Sequence, residues 1–306
     1  MKQRLTPKKE SNFGIARKIV SNMTAQSWKE IPHAVVTYEP EVTELMKIVK
    51  EINKDATKET KITINTVMLR IIVEGIKACP TLNAHLDFDR HLVRGTYTQF
   101  EEINISMPMV LKTGEMMTVN MHDMHKKTMS QMRDSINDKI RRANNSNMNE
   151  VMYSVSLADT LKGLEHGKIL QTLRRLYGSK MPGKHQVKTL RGEERKKYYS
   201  IPENDRLTRY DIEQGTITVT NLGSIYREWE GVCTLLEIVP PQVCAIAIGS
   251  VQLMPIAEKD GSLRTGQKMP VTIAFDHKAL DMSDVVPFMK KLDEIFANPE
   301  MIKQWV

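Results

Sequence analysis

Ile217 and Val219 alternate with Thr218 and Thr220 along GTITVTNLG (215–223), the period-two rhythm of a strand with one apolar and one polar face. VCAIAIGSV (243–251) is nearly continuous apolar sequence and predicts a strand buried on both faces; MPVTIAF (269–275) predicts another. Elsewhere the period lengthens. Ile15, Ile19, Val20 and Met23 form a helical stripe over 15–28, and Val42, Leu45, Met46, Val49 and Ile52 form a second. ITINTVMLRIIVEGIKAC (62–79) predicts a third helix, capped near Asn65 and stopped by Pro80. IPHAVVTYEPEV (31–42) is strand-like, with Pro32 tolerated at its start. EEINISMPMVLKTGEMMTVN (101–120) predicts two short strands around a turn at Thr113-Gly114. Met124, Met129, Met132, Ile136 and Ile140 predict a helix over 122–143. A closing helix carries Val285, Met289, Leu292 and Phe296, with Ser283 near its start and Pro287 in its first turn. Helices alternating with strands, without an internal repeat, give an α/β architecture.

Residues 144–213 depart from this rhythm. A helix is expected around LADTLKGLEHGKILQTLRRLYG (157–178), and a basic run follows, with six Lys/Arg against two Glu from Lys184 to Lys197. That run reads as a solvated, partly mobile surface segment in preference to a dedicated binding patch. The expected organisation is a polar lead-in over 1–12 and one domain over 13–306, with 144–213 inserted.

Composition narrows the class without naming it. The 306 residues suffice for a large core, and 41% hydrophobic with 26% charged residues is ordinary globular usage. The 20 methionines fall mostly at helical spacing, where Met is flexible core filler. A net charge of +7 favours an anionic partner, such as a nucleotide-bearing cofactor or an acidic protein face. Nothing resembles an RNP motif, a zinc finger or a Lys/Arg stripe with interleaved aromatics, so no nucleic-acid partner is expected. Cys79, Cys233 and Cys244 form no CxxC pair and sit in apolar or mixed stretches, as thiols in a reducing compartment do. The opening MKQRLTPKKESNFG lacks an apolar signal core, and no window approaches a membrane span. A cytoplasmic protein without a membrane partner is expected.

The sharpest chemical candidate is VTIAFDHKALDM (271–282), where an imidazole stands at the exit of a buried strand. One histidine among eight is by default a satisfied structural residue, yet a strand exit is where a side chain can leave the core and face a cleft. A neutral His277 there could take a proton from an alcohol or thiol if its tautomer were fixed. Asp281 could hold a cation to organise the turn or simply cap the following helix; the spacing allows both. GxSxG, GxxxxGK[ST] and GxGxxG are all absent. HDMHKK (122–127) pairs His122 and His125 around Asp123 without a third ligand, so no metal site is expected, and DFDRH (87–91) reads as a polar turn.

Six segments together resemble the catalytic domain of the 2-oxoacid dehydrogenase acyltransferases, relatives of chloramphenicol acetyltransferase. IARKIVSNMTAQSWKEIPHAVVTYEPEVTELM is similar to the family's opening helix, Ile-Pro-His and first strand, and ACPTLNAHLD to its Pro-x-x-Asn segment. EINISMPMVLKTGEMMTVNMHDMHKKTMSQM resembles its paired strands and next helix. GTITVTNLGSI matches a Thr-[Ile/Leu]-[Ser/Thr]-Asn-x-Gly strand and VPPQVCAIAIGSV a Pro-Pro-Gln strand. AFDHKALDM stands where the family has Asp-His-Arg-x-x-Asp-Gly. The resemblance covers about 13–143 and 214–306, in order.

It implies a chloramphenicol acetyltransferase-like two-layer sandwich, a mixed sheet covered by helices, that forms trimers or assemblies of trimers. It also implies an acyltransferase using coenzyme A or acyl-CoA as substrate, with no covalent cofactor in this chain. The acceptor would be a dihydrolipoyl thiol, supplied in trans by a lipoyl-domain protein or dehydrogenase-complex subunit, or a small acceptor. His277 matches the general base and Thr220 the hydroxyl that donates to the oxyanion, the two coming from neighbouring subunits. Asp281 matches an acid paired with an arginine of the opening helix, here Arg17, and Asn221 supports the Thr220 strand. Tyr226, Trp229, Met282 and His33 are candidates for the substrate channel. Met282 replaces the family's Gly and Lys278 its Arg, and the stretch after NLG is rebuilt as SIYREWEGVCTLLEIV. These departures also admit an inactive scaffold that keeps only the fold.

Overall fold

The computed structural model of the chain describes residues 6–111, 114, 116–155, 173–174, 177 and 189–306. The helix expected at 157–178 and the first residues of the basic run fall almost wholly outside them. The chain divides into two compact units: residues 23–141 with 213–306, and residues 1–22 with 142–212.

The larger unit is built on one mixed sheet of six strands, ordered β1-β10-β7-β6-β4-β5. These are β1 (His33–Tyr38), β4 (Ile105–Val110), β5 (Met116–Met121), β6 (Ile217–Asn221), β7 (Cys244–Ile248) and β10 (Val271–Asp276). β6 runs parallel to both β4 and β7, and the other pairings are antiparallel. Register sorts the sheet into two unlike faces. Val36, Ile273, Ile246 and Val219 line up across four strands on one side. On the other side the aligned residues are mostly Thr and Ala, with Val35 at one end: Thr37–Thr272–Ala247–Thr220, and Val35–Ala274–Ala245–Thr218.

The helices account for most of the remaining apolar burial. α3 (Ile64–Ala78) buries Val67, Met68, Ile71, Ile72 and Ile76 and packs tightly on α6 (Met282–Ala297): a Cβ at Gly75 would lie 2.6 Å from the Phe288 ring. Cys244, on the bulky face, has its thiol pushed far up by burial, with Cys79 at the end of α3 close enough to add to the shift. The small face is covered instead by an irregular segment, 229–239, in which Ile238 packs with Ile31, Ala245 and Ala274. α1 (Ile15–Glu30) and α2 (Thr43–Ile52) complete the helices near the sheet. Among the described residues no helix is long and apolar enough to cross a membrane.

Several expectations shift in register. α3 is capped by Thr63, whose hydroxyl accepts the Thr66 N–H, and not near Asn65. The helix expected over 122–143 starts only at Met129 (α4, Met129–Asn144). Asp123 turns left-handed (φ 52°), a short 3-10 turn follows, and Thr128 with Gln131 forms a reciprocal cap that starts α4 afresh. Pro287 lies in the second turn of α6, because the helix already begins at Met282 behind Asp281. The turn between β4 and β5 carries Gly114 at φ +80°, where a side chain would be strained. Two hairpins were not anticipated: β2 (Ala84–Asp89) with β3 (Arg94–Gln99), and β8 (Gln252–Ala257) with β9 (Leu263–Lys268). DFDRH is the end of β2 plus the following turn.

In the smaller unit, α5 (Gly192–Tyr199) gives order to the second half of the basic run, with Tyr198 buried beneath an otherwise exposed helix. Its anchor is Asp211, 1% exposed, which accepts two N–H groups of Arg142 at 2.9 and 2.5 Å and the Thr208 hydroxyl and amide. Arg142 also donates to the carbonyl of Arg206.

Candidate active site

His277 is the first residue past β10. Its amide donates to the Pro32 carbonyl (3.0 Å), tying the strand exit to the start of β1. The residues on either side of it clasp each other. Asp276, 2% exposed, accepts the Lys278 amide at 2.9 Å, and the Lys278 ammonium lies 3.4 Å from its other oxygen. That ammonium also donates to the Glu30 carbonyl (2.8 Å) and sits 5.8 Å from the centre of the Phe88 ring. A lysine thus meets these partners as a point charge, without the bidentate geometry of an arginine.

The imidazole itself is over half exposed, at 54%. Its Nδ1 is 3.3 Å from the Asp281 carboxylate. Asp281 occupies the cap position of α6, and its amide donates to Asp284 three residues on. Of the readings left open by spacing, the helix-cap position is observed, and the carboxylate also lies beside the His277 ring. Arg17 lies exposed early in α1, within the smaller unit. A carboxylate against Nδ1 favours the tautomer protonated there and leaves the Nε2 lone pair facing outward. Among the described residues Nε2 has no hydrogen-bond partner.

Thr220 sits on the small face of the sheet, partly buried, and its hydroxyl has no hydrogen-bond partner among the described residues. Asn221 accepts the Ser224 amide (2.8 Å) and caps a turn at Leu222–Ser224. Gly223 makes that turn possible, since a Cβ there would come within 2.6 Å of the Gly249 carbonyl oxygen. Thr220 is aligned with Ala247 and, across it, Thr272. His277 lies five residues beyond Thr272, which is about 17 Å along the strand, with two strand spacings of about 4.8 Å to cross as well. One chain therefore does not bring the hydroxyl and the imidazole together.

The remaining candidates separate. Met282, 42% exposed, is the first helical residue after Asp281. Tyr226 is exposed and Trp229 half-buried in the segment that follows Thr220. His33 is occupied internally: its Nε2 accepts the Ile238 amide (3.1 Å), and Trp28 stacks on its ring at 4.6 Å. No local signal in the sequence could have revealed a partner 205 residues away. Among the described residues no cluster of His, Cys, Asp or Glu could hold a metal ion. His125, one of the pair weighed for metal binding, takes the Ile103 amide on Nδ1. A shallow concavity of about 470 Å³ at the start of α4, lined by Asp123, Lys126 and Lys127 among others, contains none of the candidate residues.

A sequence profile described as "2-oxoacid dehydrogenases acyltransferase (catalytic domain)" matches residues 6–154 and 192–303. The mitochondrial lipoamide acyltransferase component of the branched-chain alpha-keto acid dehydrogenase complex of Arabidopsis thaliana is 32% identical over 102 residues, 33% of this chain and 20% of that protein. This chain spans between a fifth and about half the length of the curated relatives it matches. Among solved structures, a probable dihydrolipoamide acetyltransferase from Listeria monocytogenes superposes with a TM-score of 0.64 at 17% identity, covering 96% of this chain and 95% of that one. The cubic core of the pyruvate dehydrogenase multienzyme complex gives 0.63 at 13% identity, covering 96% and 93%. These likenesses show the fold. With the profile spanning most of the sequence, and the Asp-His and Thr-Asn-x-Gly segments each at a strand end, the chain belongs to the catalytic-domain family of the 2-oxoacid dehydrogenase acyltransferases.

Proposed function

We propose that this chain transfers an acyl group between coenzyme A and a thiol, with a dihydrolipoyl group carried by another protein as the acceptor class. The observation that carries the reading is the His277 imidazole, backed at Nδ1 by Asp281 and open at Nε2. In the forward direction Nε2 takes the proton of the acceptor thiol. The thiolate attacks the thioester carbonyl carbon, and the tetrahedral intermediate places its negative charge on oxygen. The Thr220 hydroxyl donates to that oxygen. Collapse expels the CoA thiolate, which recovers the proton from the imidazolium. Clasped between Asp276 and Lys278, the His277 backbone keeps the base in place throughout.

The separation of Thr220 from His277 within one chain favours a site completed by a second copy, as in an assembly built of trimers. The relatives named for dehydrogenase complexes, and the likeness to a cubic core, support such an assembly.

Subunit mixing tests this. Thr220→Ala and His277→Ala proteins, each nearly inactive alone, are unfolded together and reassembled in equal amounts. Activity should return to about one quarter of wild type, because a random mixture pairs an intact base with an intact hydroxyl at about one interface in four. No recovery beyond the separate variants would rule out a site shared between copies.

A further inference from the structure

His33 opens β1 on the same small face of the sheet that carries Thr220. The segment lying over that face, 229–239, has no regular backbone hydrogen bonding of its own. Side chains hold it down. The Thr24 hydroxyl donates to Glu237 (3.0 Å), and the Thr272 hydroxyl donates to the Cys233 carbonyl (2.5 Å). Ile238 is gripped through both of its backbone groups: Ser27 donates to its carbonyl (2.6 Å), and its amide donates to Nε2 of His33 (3.1 Å).

The last bond has a chemical condition. An amide N–H can donate to Nε2 only while that nitrogen keeps its lone pair, so the ring must be neutral with its proton on Nδ1. The Ser27 oxygen, 3.3 Å from Nε2, has committed its own proton to Ile238. Protonation of the ring would set its N–H against the Ile238 N–H in a partly buried place, with the long 3.3 Å contact to the Ser27 oxygen as the acceptor left to it, which costs free energy. The charged groups facing the ring are Asp276, its cross-strand partner on β10 and itself paired with Lys278, and Glu237 in the covering segment; α1 offers only Trp28 and Ser27. Desolvation lowers the imidazole below its ordinary value of 6.5, outweighing the backbone bond with Ile31 and the two carboxylates, all of which favour the cation.

We infer that His33 is a positioning residue: as a neutral ring it holds residues 233–239 on the sheet face that carries Thr220, and on protonation it releases them. The held state binds the proton less well than the released one. The hold is therefore complete above about pH 6.5 and weakens as pH falls below that value. The consequence for turnover rests on the acyl-transfer reading; the release itself does not.

Hydrogen exchange on the intact protein, corrected for intrinsic rates, reads the release directly. Protection of the Ile238 amide, the one in 233–239 that His33 accepts, should fall by up to about tenfold for each pH unit below about 6.5. His33→Gln offers a carboxamide oxygen in place of Nε2 and does not titrate, so its protection should stay flat with pH, and His33→Ala should lack protection throughout. A wild-type segment still protected at about pH 5, or a parallel fall in wild type and His33→Gln, overturns the inference. Should His33→Gln not fold, the wild-type imidazole decides: its ¹⁵N signals must show the Nδ1–H tautomer at neutral pH and titrate together with the loss of protection. Acyl transfer measured on the same samples separates the two readings, because a pH-gated segment in a protein that transfers nothing removes the proposed function and leaves this inference standing.

Discussion

Replacing His277 with Ala is expected to lower kcat for transfer between acetyl-CoA and a dihydrolipoyl acceptor by about 10³-fold, within the range a positioned general base contributes. The fold should survive. The imidazole is 54% exposed, and what anchors the segment is the backbone bond to Pro32 and the Asp276–Lys278 clasp, none of which needs the ring. Equal size-exclusion profiles and melting curves, with activity lost, would match this arrangement. A variant that turns over within a few fold of wild type would end the assignment of His277 as base. Asp281→Asn should be milder and should show chiefly in kcat, because it weakens the hold on the tautomer without removing the base.

The second large effect is one of stability. Asp211→Ala removes a carboxylate that is 1% exposed and, among the described residues, accepts from two N–H groups of Arg142 and from the Thr208 hydroxyl and amide. It takes two acceptor oxygens from a guanidinium whose side chain is 14% exposed, and breaking a buried pair from one side costs about 3–5 kcal/mol. The unit made of residues 1–22 and 142–212 should lose that much, read as earlier hydrogen exchange across 192–212. The double variant Arg142→Met/Asp211→Leu should recover most of the loss, since apolar groups of similar volume need no partner. If Asp211→Ala stays within about 0.5 kcal/mol of wild type, the pair does not anchor this unit.

How far the sequence reaches is uneven, for physical reasons. β6, β7 and β10 are legible because they lie in the middle of the sheet, where burial of one or both faces imposes alternation or a continuous apolar run. β3, exposed at every position, and β8–β9, a largely exposed hairpin with Pro255 inside it and Leu253, Met254 and Leu263 facing outward, carry no such imprint. His277 was readable as a candidate because it stands where apolar alternation stops. The partner of its Nδ1 was not, since a carboxylate four residues on can cap a helix, hold a cation or turn back to the ring, and only the path of the chain selects. Thr220 looks like any β-branched strand residue until the family resemblance singles it out. Ile-Pro-His carries part of the family resemblance, but the bond from Ile238 to His33 joins segments far apart in sequence and leaves no local trace.

The unlike faces of the sheet divide the molecule's tolerance for change. Bulky side chains interlocked with α3 and α6 leave little latitude, because altering one displaces its neighbours. Threonines and alanines beneath an aperiodic cover impose far weaker steric demands. Exchanging residues 225–237 between relatives should thus change the chemistry over that face while the helical layer goes untouched, so surface and foldability can diversify on separate tracks.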